Sequence, residues 1–174
     1  MIGPPPDGRG GMSSVMAAYR DAGMFERCAV RMLATTAEGS ALRKVRLALA
    51  ALLHFIAWMV RGQVALVHVH VASGVSFWRK AVFCQLAWLL RVPYIFHLHG
   101  GNFPEFYARS SAPAQRFIRT TMRRARRVVV LSETWKGRLG AMVDATHCEV
   151  IENPVAAWAR RPRGGGDETV FLFL

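Results

Sequence analysis

Short apolar runs alternate with longer segments of helical periodicity along most of this chain, and that alternation constrains the fold more than any other feature. The apolar runs, which we predict to be strands, cover residues 28–33, 64–69, 94–98, 128–131 and 149–151. The periodic segments, which we predict to be helices, cover residues 12–22, 41–61, 77–90, 114–124 and 133–142. Strands that are apolar on both faces are typical of parallel sheets covered by helices, and strand–helix–strand units cross over with a right-handed sense. The pattern therefore predicts an α/β fold with a doubly wound parallel sheet.

The two ends of the sequence depart from that pattern. The chain opens in a Pro/Gly loop with only Met1 and Ile2 before it, so the first strand is expected to be largely missing. Residues 160–168 are rich in Arg, Pro and Gly and are predicted to be a linker. The apolar run at 169–174 would be a lone strand that cannot bury its faces. We therefore predict one domain over residues 1–159, followed by the start of a second domain that is missing.

The composition limits the classes of function. Hydrophobic residues make up 52% of the chain, enough for a packed core, and the net charge of +12 favours polyanionic partners such as phosphates or anionic lipid surfaces. The three cysteines include no C-x-x-C pair, and the first residues hold no apolar run typical of a signal peptide, so a cytoplasmic protein is expected. Nucleic acid is not an expected partner, because no reader motif and no basic ribbon interleaved with aromatic residues occurs.

Two segments raise the question of a membrane surface. The apolar stretch at 47–60 is shorter than the ~18–20 residues that a spanning helix needs, and basic residues flank it. It is predicted to be a buried or half-buried helix, and a helix resting on an anionic membrane is the alternative. Four arginines recur at helical spacing farther on, Arg116, Arg119, Arg123 and Arg127. They indicate either a solvated basic face or a contact with an anionic membrane or lipid phosphate, so a peripheral membrane location stays open.

Glycines precede the first predicted helix. Gly10 and Gly11 would allow the backbone to approach a ligand closely, and the helix N-terminus behind them would offer free N–H groups and a partial positive charge. An ordinary loop is the alternative. The G-K-[ST] ending of a P-loop is absent. The two glycines are therefore predicted to face a phosphate.

Two H-x-H pairs lie at the ends of two predicted strands. His68 and His70 share one strand face, as do His97 and His99. We interpret His68 as a core histidine and predict that His70 and His99 line a site. His99 comes directly before Gly100, and a neutral imidazole there could take a hydroxyl proton or hydrogen-bond a sugar or phosphate. Four histidines also suggest zinc, but no acid or cysteine cluster accompanies them, so no metal is expected.

Ligands of open parallel sheets bind beyond the carboxyl ends of the strands. The polar residues and glycines that follow the predicted strands are therefore expected to line a cleft. Together with His70 they are Ser73, Lys80, Gly100, Asn102, Glu105, Tyr107, Ser132, Glu133 and Asn153. Within this set, Lys80 is expected in the first turn of its helix near the rim, and Glu105 and Tyr107 in a loop. Ser132 is expected to cap a helix.

Taken in order, seven segments resemble the N-terminal domain of family 4 glycosyltransferases, especially those of bacterial polysaccharide synthesis. The segments are GPPP…GGMS (3–13), HVH (68–70), SFWRK (76–80), FHLHG (96–100), FY (106–107), LSETWK (131–136) and IENPV (151–155). The resemblance covers nearly the whole chain, and the order and spacing of the segments are more specific than any one of them.

The resemblance implies a GT-B fold, in which two Rossmann-like domains face each other across a cleft. The N-terminal domain takes the acceptor, a glycan or a lipid-linked molecule, and the C-terminal domain takes the nucleotide sugar. Transfer with retention of the anomeric configuration and without a metal or other cofactor is implied. Gly10 and Gly11 would approach the donor phosphates, and His99 would position the acceptor or the transferred sugar at the reaction centre.

The resemblance also implies what is missing here. The donor domain would supply a basic residue that stabilises the leaving diphosphate, together with paired glutamates. Because charge stabilisation of the leaving group is a large catalytic term, we expect little or no activity from this chain alone. The expected function is the acceptor half of a glycosyltransferase of envelope or exopolysaccharide synthesis. The alternative is a non-catalytic remnant or a module that binds a membrane or a partner.

Overall fold

The computed structural model describes residues 1–37, 39–140 and 142–154, and within them it holds one parallel sheet of six strands. The strands are β1 Ile2–Gly3, β2 Leu33–Ala34, β3 Val67–Val71, β4 Tyr94–Leu98, β5 Arg127–Val130 and β6 Cys148–Val150. Their order is β2-β1-β3-β4-β5-β6, and each neighbouring pair is parallel. The predicted Rossmann-like α/β fold is confirmed. The predicted linker at 160–168 and strand at 169–174 lie outside the described residues.

Helices connect the strands on both sides of the sheet. They are α1 Gly11–Asp21, α2 Met24–Arg27, α3 Ala41–Val60, α4 Val75–Leu89, α5 Phe103–Ala108, α6 Ala112–Arg124 and α7 Glu133–Leu139, with a short 3₁₀ turn at Ala145–His147. The chain crosses the sheet in one direction from β1 to β2 and in the other direction afterwards. Right-handed crossovers therefore put α1 on one face and α3, α4 and α6 on the other. Contacts of α4 with both α3 and α6 agree with this arrangement.

The side-chain period of two gives β3 and β4 two different faces. Val69 and Phe96 pair across the strands, are fully buried and belong to the core on the α4 side, where the ring of Phe77 lies 6.3 Å from that of Phe96. The alternate residues of both strands are histidines, apart from Ile95 of β4. They face α1, since the ring of Tyr19 lies 6.1 Å from that of His70. The sheet thus has an aromatic core on one side and a histidine cluster on the other.

The first strand has only two residues, yet it lies in the interior of the sheet. Ile2 pairs with Leu33 of β2 on one side and with Val69 of β3 on the other. The amino group of Met1 donates a hydrogen bond of 2.8 Å to the carbonyl of Arg31. As predicted, most of this strand is missing. Its two residues nevertheless pair with both neighbouring strands and lead the chain into the glycine loop.

The predicted strand at 28–33 is wrong except for its last residue. Leu33 joins β2, whereas the residues before it form the C-cap of α2 and a turn. Gly23, with φ of 68°, is the N-cap of α2, and Ala29 has a left-handed backbone with φ of 48°. The amide of Val30 then donates back to the carbonyl of Phe25 at 2.7 Å. These backbone conformations break an apolar run that hydropathy alone assigns to a strand.

Two further differences concern the site. β3 begins and ends later than the predicted 64–69, so His70 lies inside the strand. The segment Phe103–Ala108, expected to be a loop, is helix α5. Pro104 lies in its first turn, where a proline is tolerated because the N–H it lacks has no helical partner. Glu105 and Tyr107 are therefore held on a helix.

Helix α3 is half-buried, as predicted. Ala51, Phe55 and Met59 face the core, and the opposite side of the helix is exposed. In the described part of the chain, no helix combines the length and apolar character needed to cross a membrane.

Candidate functional site

The loops that follow β3 and β4 meet at the carboxyl-terminal edge of the sheet. The amide of His99 donates a hydrogen bond of 2.8 Å to the carbonyl of Val71, so the pairing of the strands continues one residue beyond β4. A Cβ on Gly100 would lie 3.0 Å from the amide nitrogen of Ser73 and 3.2 Å from the Cα of Ala72. Glycine at this position therefore allows the close approach that holds His99 beside the β3–α4 loop.

The loop after β1 brings the glycine pair to the carboxyl end of its own strand. Gly10 has φ of 103°, and its carbonyl accepts hydrogen bonds of 2.9 and 3.1 Å from the amides of Ser13 and Ser14 in the first turn of α1. No described atom lies within 4 Å of the point where a Cβ on Gly10 or Gly11 would be. The N-terminus of α1 thus faces open space, as an anion-binding helix end requires.

A cavity of about 250 Å³ lies at this helix end. The residues that line it are Pro4, Arg9, Gly10, Gly11, Met12, Ser13, Thr36, Ser76, Arg79 and Lys80. Ser13 Oγ and Arg79 Nε are buried and have no hydrogen-bond partner among the described residues. Because a hydroxyl and a guanidinium N–H can both donate, the wall of the cavity suits an anionic ligand.

Lys80 reaches this cavity from the second turn of α4, and it is buried rather than at the rim. Its Nζ donates to Ser76 Oγ at 3.1 Å and lies 3.7 Å from Met12 Sδ. Within the described residues no carboxylate pairs with it. Burial, followed by the charge of Arg79, lowers the pKa of Lys80 to about 7. An anion entering the cavity would favour the charged amine and reverse this shift.

The four strand histidines form two contacts across β3 and β4. The Nδ1 atom of His70 lies 2.8 Å from the Nε2 atom of His99, and the Nε2 atom of His68 lies 3.1 Å from the Nδ1 atom of His97. His70 and His97 are buried, and the other two are partly buried. Of the two predicted site histidines, His99 lies at the loop edge and His70 lies directly behind it.

Burial lowers the pKa of all four imidazoles. The value falls to about 4 for His68, about 2 for His97 and about 4 for His99, and well below the ordinary value for His70. A side-chain hydrogen bond with Asn153 acts in the opposite direction on His99. All four rings are therefore neutral at pH 7. An imidazole with so low a pKa is a weak base, so it is better suited to hold a hydroxyl group by a hydrogen bond than to take the proton of that hydroxyl.

The remaining predicted residues differ in whether they approach His99. Asn153 contacts His99, and Ser132 caps α7 as expected by accepting a hydrogen bond of 3.3 Å from the amide of Trp135. Tyr107 is engaged elsewhere, because its hydroxyl accepts a hydrogen bond from Arg119 of α6. The other members are exposed, and no described contact joins them to His99; they are Asn102, Glu105 and Glu133.

Sequence reasoning missed three residues that line the cavity beside Lys80. Ser76 lies four residues before Lys80 on α4, and that spacing puts two side chains on one helix face, so the pattern could have revealed the pair. Arg79 lies beside them in the same sequence motif. Thr36 follows β2 and also follows the predicted strand at 28–33, but nothing else in the local pattern marked it.

The basic side of α6 is largely solvated. Arg116 and Arg123 are exposed. The guanidinium of Arg124 lies 3.5 Å from the centre of the Trp88 ring, and Arg127 of β5 lies 3.5 Å from a carboxylate oxygen of Glu149. These contacts favour the interpretation of a solvated basic face.

The glycine pair, the histidine cluster and, apart from Pro4, the residues that line the cavity fall within the part of the chain that matches a known family. Residues 6–154 match the model of a family described as the glycosyl transferase 4-like domain. The chain belongs to this family. The parallel sheet with flanking helices agrees with the N-terminal domain of a GT-B glycosyltransferase. A search of curated proteins gives no match.

This glycosyltransferase domain has a larger cavity at the opposite edge of its sheet. That cavity, about 500 Å³, lies near the amino ends of the strands, where Ile2, Trp58 and Val64 contribute to a largely apolar lining. Ligands of open parallel sheets bind at the carboxyl edge instead, where Lys80 and His99 lie. Size therefore does not decide the site, and the smaller cavity is the stronger candidate.

The close packing at Gly100 of this glycosyltransferase domain can be tested by adding a methyl group there. Gly100→Ala places a methyl group against the backbone of Ala72 and Ser73, and we expect it to lower the free energy of unfolding by about 1–3 kcal/mol, as overpacking does. Gly101→Ala is the matched control, because no described atom lies within 4 Å of its added Cβ. Urea denaturation measures both variants, and equal stabilities would contradict the packing described for this loop.

Proposed function

We propose that this domain is the acceptor-side half of a retaining, hexosyl-type glycosyltransferase. It transfers a sugar from a nucleotide-sugar donor to a glycan or lipid-linked acceptor in cell-envelope or exopolysaccharide synthesis. The observation that carries the proposal is the cavity at the start of α1, where Gly10 and Gly11 open onto the buried amine of Lys80.

The chemistry of that cavity supports a diphosphate ligand. The free amides of α1 and its dipole favour negative charge. Lys80, Arg79 and Ser13 add donors that have no acidic partner among the described residues. A buried cation without a counter-ion costs several kcal/mol, and an anionic ligand offsets that cost. Nucleotide sugars and lipid-diphosphate acceptors both carry this group.

The transfer step needs a leaving group, an acceptor hydroxyl and a place for the proton. The bond between the anomeric carbon and the donor diphosphate breaks, and a bond from the acceptor oxygen forms on the same face of the sugar. The departing diphosphate keeps the bonding electrons and can accept the hydroxyl proton. In this proposal His99, neutral at pH 7, holds the hydroxyl or the sugar by a hydrogen bond. No metal is invoked in the step.

We expect this chain by itself to turn over little or no substrate. The cationic group that stabilises the leaving diphosphate would come from the donor half, and loss of such stabilisation costs orders of magnitude in rate. A transfer assay with a panel of sugar nucleotides and crude lipid acceptors measures this. Robust turnover by the 174-residue chain would show that the chemistry does not depend on another half.

Binding of inorganic diphosphate tests the anion site directly. Lys80→Gln removes the buried charge while keeping a side chain of similar length. We expect calorimetry to show binding about 10- to 100-fold weaker, because a hydrogen bond to a charged group contributes about 1.5–3 kcal/mol. Lys44→Gln makes the same substitution at an exposed position of α3 and should bind like the unaltered chain. An equal loss of affinity in both variants would mean that diphosphate binding depends only on net charge.

A second observation favours attachment of the domain to an anionic membrane. The exposed side of α3 carries apolar residues at helical spacing, Leu42, Val45, Leu49, Leu53, Ile56 and Val60. The helix contains Arg43, Lys44 and Arg46 but no acidic residue. An apolar stripe with basic residues around it is the pattern of a helix that lies in a membrane interface. This supports the proposal that the domain works in the cytoplasm, at the inner face of the plasma membrane.

Vesicle sedimentation tests this attachment. Replacing Leu49 and Leu53 with glutamate should weaken binding to vesicles containing phosphatidylglycerol by at least about tenfold, since each leucine that leaves an apolar environment costs about 1.5–3 kcal/mol. Ile151→Glu is the control, because Ile151 is also exposed but lies after β6. Binding that is unchanged in the double variant, or equal on vesicles of phosphatidylcholine alone, would exclude α3 as the anionic-membrane contact.

A further inference from the structure

Three imidazoles converge on the histidine face of β3 and β4. The parallel register pairs His70 with His97, and His68 lies two residues before His70 on the same face. Each of the three offers one ring nitrogen, and these nitrogens all lie within 4.8 Å of one another. The rings of His68 and His97 are nearly parallel, with 9° between their planes and 5.3 Å between their centres. Two neighbouring strands thus hold three nitrogen ligands in one small volume.

Two ring nitrogens of this cluster have no partner in the described chain. They are the Nε2 atoms of His70 and His97, whose residues are 0% and 1% exposed. A neutral imidazole has one donor and one acceptor nitrogen. Each unpartnered atom is therefore either an N–H without an acceptor or a lone pair without a donor. Leaving such an atom buried without a partner is costly in free energy. A cation bound to the lone pairs would remove that cost.

We propose that His68, His70 and His97 bind a divalent transition-metal ion of the zinc class. Metal–nitrogen bonds of about 2.0–2.1 Å put tetrahedral ligands about 3.4 Å apart. The three nitrogens now lie within 4.8 Å of one another, so the rings would turn toward the ion on binding. The fourth position is left for water. Imidazole ligands favour Zn²⁺, Ni²⁺ and Cu²⁺, whereas Mg²⁺ and Ca²⁺ require oxygen ligands. The expectation of no metal rested on the lack of acids and cysteines, but three imidazoles are by themselves a sufficient ligand set.

The ion would have a route to the site and a connection to the loop edge. His68 also lines the cavity of about 500 Å³ at the amino edge of the sheet, so an ion can enter from that side. On the other side, His70 contacts His99 at 2.8 Å through Nδ1. Coordination through the unpartnered Nε2 of His70 makes its Nδ1–H a donor to His99, as outer-shell partners of metal-bound histidines commonly are. The ion would then fix the tautomer of His99 without touching a substrate.

The test uses the full chain without a histidine tag, labelled with ¹⁵N and treated with a chelator. Titration with Zn²⁺ should shift the ring nitrogens of His68, His70 and His97 together and saturate at one equivalent, and those of His54 should not move. Mg²⁺ should produce no shift. Shifts confined to His54 or to the backbone, or no shift at all, would overturn the site.

Substitutions separate this site from weak surface binding. His97→Gln and His68→Gln should each weaken Zn²⁺ binding by at least about tenfold, since even outer-shell changes cost 10- to 100-fold. His68 is only partly buried, so its variant remains informative if His97→Gln fails to fold. The control is His54→Gln on the exposed side of α3, which should bind as the unaltered chain does. Zn²⁺ affinity that is unchanged in His68→Gln, or lost in His54→Gln, would contradict the proposal.

Diphosphate binding is measured in parallel on the same proteins. Loss of the metal site alone would therefore be distinguishable from failure of the proposed transferase function.

Discussion

The five-residue parallel pairing of β3 with β4 is the constraint on which the rest of the structure depends. Each residue of β3 has a partner on β4, and the bond from the amide of His99 to the carbonyl of Val71 extends the pairing into the loops. In this register the apolar core residues of both strands face α4, and the histidines and Ile95 face α1. A slip of one residue would turn one strand's histidines into the aromatic core and its apolar residues out of it. The register therefore fixes the core and the candidate site together.

One electrostatic feature follows from that arrangement. The strand histidines are buried and neutral at pH 7, so they can orient groups but cannot supply positive charge. Charge for an anionic ligand comes instead from Lys80 and Arg79 and from the N-terminus of α1. These groups come from two chain segments that meet only because β1 and β3 are neighbours in the sheet. The glycosyl transferase 4-like domain thus separates a cationic cavity from a neutral histidine cluster along the same strand ends.

The sequence predicted the periodic parts of this fold and not the parts that depend on backbone conformation or register. Hydropathy identified the apolar runs of β4 and β5, and helical periodicity identified α3, because both patterns follow directly from burial. The strand near Leu33 was misplaced because positive φ at Ala29 leaves no trace in hydropathy. Period two put the histidines on shared faces, but only the register pairs His70 with His97. The cavity around Lys80 needs three distant segments to meet, which local patterns do not encode.

The central claim is that the carboxyl edge of this sheet, and not its larger amino-edge cavity, receives the diphosphate of a glycosyl-transfer substrate. Amide chemical shifts recorded during a titration with inorganic diphosphate test it most directly. The account predicts that Gly10, Gly11 and Ser13 shift together and that the largest changes surround Lys80. Changes centred instead on the amino-edge cavity near Trp58, or spread over the exposed arginines of α6, would contradict the account.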